Sequence, residues 1–162
     1  MSARTTSTLI LTVVASITAL AFSGTNAHLY TVNAAPAPVA EDKAEIVEDS
    51  MHEFMEYVFQ PTYRRLKVSM SKEPADKNGW KAVKSDALIL AESCNLLFAR
   101  TPSEDGDEWN QHAAASRKDG AALYQAARGK DFAAATAAYK SMLENCNGCH
   151  RQFENGKHIL TP

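Results

Sequence analysis

The chain has 162 residues, of which 45% are hydrophobic and 22% charged, which is enough apolar content for one domain with its own core. Its formal net charge is −2 and no segment concentrates lysine and arginine, so the composition argues against nucleic acid as a partner. No segment shows the alternating pattern of strands, which favours an all-helical fold.

The first 27 residues have the pattern of a secretory signal. Arg4 precedes an apolar run over residues 9–22, and small residues follow up to Ala27. The run is shorter than the roughly 20 residues that a membrane-spanning helix needs. We therefore predict cleavage after Ala27 and a periplasmic location. An uncleaved N-terminal anchor is the alternative.

An alanine- and proline-rich segment follows the signal. Residues 28–44 are predicted to form an extended linker, because each proline fixes φ and disfavours helix in the residue before it. Residues 45–162 are then the folded domain.

Four segments of this domain carry apolar residues at helical spacing. The loops between them are short, which predicts an antiparallel up-down-up-down four-helix bundle. Pro61 is expected to kink the first helix near Tyr57, because proline lacks a backbone N–H. The predicted helices cover residues 46–70, 80–99 and 108–128, followed by one capped by Asp131.

Side-chain roles within these helices follow from residue type. Asn78 is predicted to cap the second helix, and residues 101–104 resemble a capping box before the third. Cys94 is expected to be a small core residue. Ala121 is expected to face inward, whereas His112 is expected to be exposed.

The sequence Cys146-Asn147-Gly148-Cys149-His150 is the C-x-x-C-H motif of covalent haem attachment. Each thiol can add across one vinyl group of the porphyrin, and the imidazole can then ligate the iron. On a helix these three side chains share one face, at offsets of three and four residues. The motif predicts one haem c, with Cys146 and Cys149 as thioether ligands and His150 as the proximal iron ligand.

Three other interpretations of the two thiols fit the sequence less well. A thioredoxin-like pair sits at a helix N-terminus in a βαβ pattern, whereas this pair ends a long helical run. A zinc site needs a further ligand pair, and none stands at suitable spacing. A Cys146–Cys149 disulfide would be strained on a helix.

The order of elements, the C-x-x-C-H motif late in the fourth helix and Phe153 three residues after His150 resemble the cytochrome c-prime family and its low-spin methionine-ligated relatives. The resemblance covers roughly residues 45–158. It implies that the haem lies among the four helices and that Met55 on the first helix faces its distal side. Glu154 stands where the family often has a basic residue, and the first helix has His52 in place of an early basic residue.

The sixth ligand of the iron separates two functions. Met55 and His52 lie three residues apart, so both can face the haem but only one can ligate it. Ligation by Met55 gives a low-spin iron with a raised potential, which suits an exported electron carrier. The alternative is a five-coordinate module that binds diatomic gases such as nitric oxide.

An enzymatic role is not expected. A peroxidase needs a positioned distal acid–base group, and His52 is the only candidate on the first helix. The electron-carrier hypothesis implies a redox partner protein, which the sequence does not identify. The family resemblance further implies homodimerisation through the first two helices.

Overall fold

The computed structural model describes residues 45–162, which form helices and no strand, so the predicted all-helical class is confirmed for this part of the chain. The predicted signal and linker lie outside the described residues. None of the described helices is both long and apolar enough to cross a membrane. The elements are α1 (Met51–Phe54), a π-helical segment (Met55–Phe59), α2 (Gln60–Met70), α3 (Lys77–Ser93), α4 (Asn95–Phe98), α5 (Gly106–Gly129) and α6 (Phe132–Phe153).

The first predicted helix begins later than expected and is not regular. It starts at Met51, because the Ser50 hydroxyl accepts a hydrogen bond from the Glu53 N–H at 3.3 Å and so caps it. The π-helical segment then interrupts it, and the Gln60 N–H donates to the Met55 carbonyl five residues back. Pro61, which has no N–H to donate, follows directly, so the irregularity lies where a kink was expected.

The second predicted helix has a different cap and is divided in two. Asp76, not Asn78, is the N-cap of α3, and its Oδ1 accepts from the Gly79 N–H at 2.8 Å. The prediction of Asn78 was wrong because a better placed carboxylate lies two residues earlier. The helix is interrupted at Cys94, after which α4 adds one further turn.

The starts of the last two helices contrast. The expected capping box at residues 101–104 is not formed, because the Thr101 hydroxyl lies 2.8 Å from the Phe98 carbonyl oxygen and 2.8 Å from Asn110 Oδ1. Instead Asp105, with φ of 55°, precedes α5 without a side-chain cap bond. At α6 the predicted cap is confirmed, since Asp131 Oδ1 accepts from the Ala134 N–H at 2.9 Å.

Contacts between α5 and α6 occur in reversed order along the two helices. The Trp109 and Phe153 rings meet edge to face at 5.2 Å, near the start of α5 and the end of α6. Further along α5, Asp119 accepts a hydrogen bond at 2.8 Å from Asn145, which lies earlier in α6. The two helices are therefore fixed to each other by aromatic packing at one point and by polar bonds at another.

Close packing of α3 against α5 depends on a glycine. A Cβ at Gly120 would lie 3.1 Å from the Ala91 Cβ, so only a small residue allows this approach. Gly120 is buried, whereas Ala121, which was expected to face inward, is exposed. The inward face of α5 is thus set by Gly120 and not by its neighbour.

Most of the buried side chains form one apolar cluster, which we call the packed cluster. It joins α2, α3, α5 and α6, and its largest completely buried side chains are Leu66, Val83 and Leu123. A side chain of this size stabilises the fold by about 1.5 to 3 kcal/mol when fully buried. The cluster comprises Leu66, Met70, Trp80, Val83, Ala87, Leu90, Leu123, Ala127, Ala135, Tyr139, Met142 and Leu143.

Candidate haem site

A cavity of about 370 Å³ opens beside the packed cluster. This volume is within the usual range of small-molecule sites, about 300 to 1,000 Å³. We call α1, the π-helical segment and α2 together, residues 51–70, the first helical region. The cavity wall is formed by residues of this region, of α3, α4, α5 and α6, and of the C-terminal segment. Every site residue predicted from the sequence lines it: Cys146, Cys149, His150, Met55 and His52.

The two motif thiols lie on the cavity side of α6. Both are free, and both are partly buried. Burial raises the pKa of Cys149 to about 11 and also raises that of Cys146, whose Sγ lies 3.8 Å from the Ser116 hydroxyl. At neutral pH both sulfurs are therefore protonated thiols.

These properties disfavour the other interpretations of the motif. A redox-active pair needs at least one thiol with a lowered pKa, whereas both thiols here have raised values and stand near the C-terminus of α6. A zinc site needs converging ligands, and in residues 45–162 the one such cluster is His52, Glu53 and Glu56. It lies on the first helical region and includes neither thiol.

His150 is oriented by a hydrogen bond to the backbone. Its Nδ1 lies 2.9 Å from the carbonyl oxygen of His158. A carbonyl oxygen can only accept, so Nδ1 carries a proton, and in the neutral tautomer that this bond selects the lone pair is on Nε2. This is the arrangement that iron-ligating histidines adopt, because the second ring nitrogen fixes the tautomer and the ring orientation.

The carbonyl that fixes His150 belongs to a segment we call the C-terminal strap, residues 158–161. The buried Asn147 amide holds it at Leu160: Nδ2 donates to the Leu160 carbonyl at 2.9 Å, and Oδ1 accepts from the Leu160 N–H at 2.7 Å. On the opposite side the Tyr63 hydroxyl bonds to the Thr161 carbonyl at 2.7 Å and accepts from its N–H at 3.0 Å. The strap therefore links α6 to α2 along the cavity.

His112 is a site residue that sequence reasoning missed. It was expected to be exposed, but it is half-buried and lines the cavity, with Nε2 3.1 Å from Gln152 Oε1. A Cβ at Gly148 would lie only 2.9 Å from the His112 Cε1, so the glycine inside the motif gives this ring its space. The weak signal in the sequence was Gly148 itself, because a glycine inside a helix often marks a place where a neighbouring side chain comes close.

The two candidate distal residues differ in their surroundings. Met55, the first residue of the π-helical segment, is half-buried and packs against a second apolar cluster. The side chain of His52 is 72% exposed, and its Nε2 lies 3.3 Å from Glu56 Oε2. Met55 is thus the more enclosed of the two. The second cluster, which we call the cavity cluster, comprises Phe54, Cys94, Leu97, Trp109 and Ala113.

Cys94 and Trp109 complete the apolar wall. Cys94 is buried, as expected, and burial raises its pKa to about 12. The Trp109 indole N–H donates to the Leu97 carbonyl at 2.9 Å, which leaves the rest of its ring for apolar contact. This wall provides the apolar contacts that the faces of a flat aromatic macrocycle need.

The side chains of this cavity suit a covalently bound haem. It offers two protonated thiols at the spacing of the attachment motif, an imidazole with a free Nε2, and a mainly apolar wall. Arg64, which also lines the cavity, has a guanidinium that can pair with a carboxylate group of a haem.

The comparison with known protein families agrees with this donor set. The family model described as Cytochrome C' matches residues 103–154, which include the end of the loop before α5 and all of α5 and α6. No curated protein matches the chain. The match covers the attachment motif together with Trp109, His112 and Phe153, which line the same cavity. The resemblance to the cytochrome c-prime family is therefore confirmed over residues 103–154.

Proposed function

We propose that this chain is an exported monohaem c-type cytochrome that transfers electrons through a histidine-ligated haem iron. The observation that carries the proposal is the convergence of Cys146, Cys149, His150 and Met55 on one apolar cavity. When bound, the haem supplies a one-electron couple at its iron. The proposal includes the signal at residues 1–27 and a periplasmic location.

The residues of α6 would hold the cofactor. The thiols of Cys146 and Cys149 would each add across one vinyl group, with a carbon–sulfur bond formed and the thiol hydrogen passed to the other vinyl carbon. The Nε2 lone pair of His150 would bind the iron, while its Nδ1–H stays bonded to the His158 carbonyl. The mainly apolar wall would limit the access of water and so the reorganisation that accompanies a change of charge.

We propose Met55 as the sixth ligand. Its half-buried position on the cavity wall supports this assignment over His52, whose imidazole is largely exposed and lies beside Glu56. A thioether ligand together with an imidazole would raise the reduction potential and would leave no position on the iron for a substrate. We accordingly propose a carrier, not an enzyme, and no peroxidase turnover.

The alternative function is a five-coordinate module that binds diatomic gases. One observation favours it: Met55 packs against the cavity cluster, as a methionine with only a packing role would. In that case the distal side of the iron would be enclosed by apolar side chains but not ligated.

An absorption spectrum of the reduced, haem-loaded protein with and without carbon monoxide tests the proposal. A low-spin spectrum and no prompt carbon monoxide binding are expected for the carrier. Met55→Ala should then become high-spin and bind carbon monoxide. Met51→Ala is the matched control, because Met51 is also a half-buried methionine of the cavity wall and should keep the low-spin spectrum. Prompt binding by the unaltered protein would favour the gas-binding alternative.

We also propose the antiparallel four-helix bundle and a homodimer. The reversed order of the contacts between α5 and α6 supports the first. Exposed apolar side chains on the first helices support the second, because they would be covered in a dimer. Sedimentation of a Val68→Glu variant beside the unaltered protein tests the dimer, which the charge should dissociate. The exposed side chains are Tyr57, Val68, Leu88, Ile89 and Leu96.

A further inference from the structure

The C-terminal strap is hydrogen-bonded to His150 through its backbone, and side chains of α2 and α6 hold it in place. We propose that Asn147 is a positioning residue: by docking the strap, it keeps the His158 carbonyl against the His150 imidazole and so lowers the reduction potential of the iron. The proposal rests on the proposed function, since it needs His150 as the proximal ligand.

Asn147 has the geometry of an anchor and not of a residue filling a variable motif position. Its side chain is 5% exposed, and both polar groups of its amide are used on the backbone of one residue, Leu160. A buried amide that lost these partners would be left unsatisfied, which is costly. The bonds therefore fix Leu160 two residues beyond the carbonyl that meets His150.

A second anchor reaches the strap from α2. Tyr63 bonds to both the N–H and the carbonyl of Thr161, and the Lys67 ammonium donates to the Thr161 hydroxyl at 2.6 Å. Both residues lie far from the motif in sequence. The strap is therefore fixed from two helices at adjacent residues, Leu160 and Thr161.

Backbone hydrogen bonds hold the chain that leads into the strap only as far as Lys157. The Gly156 N–H donates to the His150 carbonyl and the Lys157 N–H donates to the Glu154 carbonyl, each at 3.0 Å. His158, the next residue, has a φ of 56°, a left-handed conformation that is unfavourable for a residue with a Cβ. The anchors at Leu160 and Thr161 therefore contribute to the direction of the His158 carbonyl.

The direction of that carbonyl matters to the iron. A hydrogen bond from Nδ1–H to an acceptor makes the imidazole a stronger donor through Nε2. Stronger donation favours the ferric state over the ferrous state and lowers the reduction potential. Loss of the bond should raise the potential.

The test compares haem-loaded Asn147→Ala with the unaltered protein and with Asn145→Ala. Asn145 is a matched control, because it also lies in α6 and also bonds to a neighbouring element, through Asp119, but not to the strap. Tyr63→Phe is a second test variant, since it keeps the ring and removes the hydroxyl that holds Thr161. Each protein is measured for haem mass, amide hydrogen exchange at Leu160 and Thr161, and reduction potential at one pH.

Asn147→Ala should exchange faster at Leu160 and raise the potential, shifting the ratio of reduced to oxidised protein about tenfold, the lower end of second-shell effects. For a one-electron couple this is about 59 mV. Tyr63→Phe should shift the potential in the same direction by less, and Asn145→Ala should leave it unchanged.

The proposal and the proposed function fail in different ways. Faster exchange at Leu160 with an unchanged potential would overturn the positioning role, as would unchanged exchange. If Asn147→Ala does not fold, an unchanged potential in Tyr63→Phe with released Thr161 would overturn it instead. An unaltered protein without the mass of a haem would overturn the proposed function itself.

Discussion

The α6 side of the cavity and the first helical region enclose the same space but are built differently. On α6, directional polar bonds fix Asn147 and His150, and Gly148 is fitted to the His112 ring. In the first helical region, Met55 is held by apolar packing at the start of a π-helical segment. Polar bonds determine the direction of a group closely, whereas apolar packing determines mainly its volume. The directions of the side chains are therefore fixed more closely on the α6 side of the cavity than in the first helical region.

The largest expected effect is at the α6 side. Cys146→Ser combined with Cys149→Ser should abolish covalent haem attachment, because an alcohol does not replace the thiol in the addition to a vinyl group. Mass spectrometry of protein from a host able to attach haem measures the loss. Cys94→Ala, which removes the third thiol of the cavity wall, should keep the mass of one haem. A haem retained by the double variant would contradict the assignment of the motif.

The contribution of the first helical region to the stability of the fold is expected to come mainly from α2. Leu66→Ala should lower the free energy of unfolding by about 2 to 5 kcal/mol, since Leu66 is completely buried in the packed cluster. Urea unfolding measures the change. Val47→Ala is the control, because Val47 is 100% exposed and should change stability by no more than about 0.5 kcal/mol. Equal effects would mean that α2 is not anchored through Leu66.

Cys94, between the two regions, predicts how stability depends on pH. Burial raises its pKa from 9.0 to about 12, so the unfolded chain loses the thiol proton first as the pH rises. This contribution to stability is complete below about pH 9 and is lost progressively toward pH 12. Between pH 8 and pH 10 the haem-loaded protein should therefore lose about 1 kcal/mol more than Cys94→Ala. Equal losses in urea unfolding would exclude burial of the thiol.

The smallest expected effect concerns the start of α6. Asp131→Ala should lower the free energy of unfolding by about 1 kcal/mol, because it removes the cap bond to the Ala134 N–H. Asp105→Gly is the contrasting variant, since Asp105 makes no cap bond and glycine adopts its φ of 55° without strain. Thermal unfolding should show a lower midpoint for Asp131→Ala only.

Local sequence signals predicted the parts of the molecule that local physics determines. The motif residues and the Asp131 cap depend on neighbours within four positions. In the structure Cys146, Cys149 and His150 line one cavity, and Asp131 caps α6 as predicted. Where two local signals competed, the choice failed: Asp76 and not Asn78 caps α3, and Thr101 bonds to Phe98 and Asn110 and not within a capping box.

The remaining features depend on pairs that are distant in sequence. The bond between Tyr63 and Thr161 joins residues 98 positions apart, and no periodicity predicts it. The contact between His112 and Gly148 depends on how α5 lies against α6, which a helical pattern does not specify. These pairs involve residues beside the His150 part of the cavity, so the sequence predicted which residues line the cavity but not what orients them.

The C-x-x-C-H pattern leaves the two positions between its cysteines unspecified. In this protein neither is: Asn147 serves a segment ten or more residues downstream, and Gly148 serves a ring on another helix. A C-x-x-C-H segment with other residues at these two positions would supply the same sulfurs and imidazole. It would lack the bonds to Leu160 and the space for the His112 ring. The two inner residues of the motif are thus adapted to the fold around them.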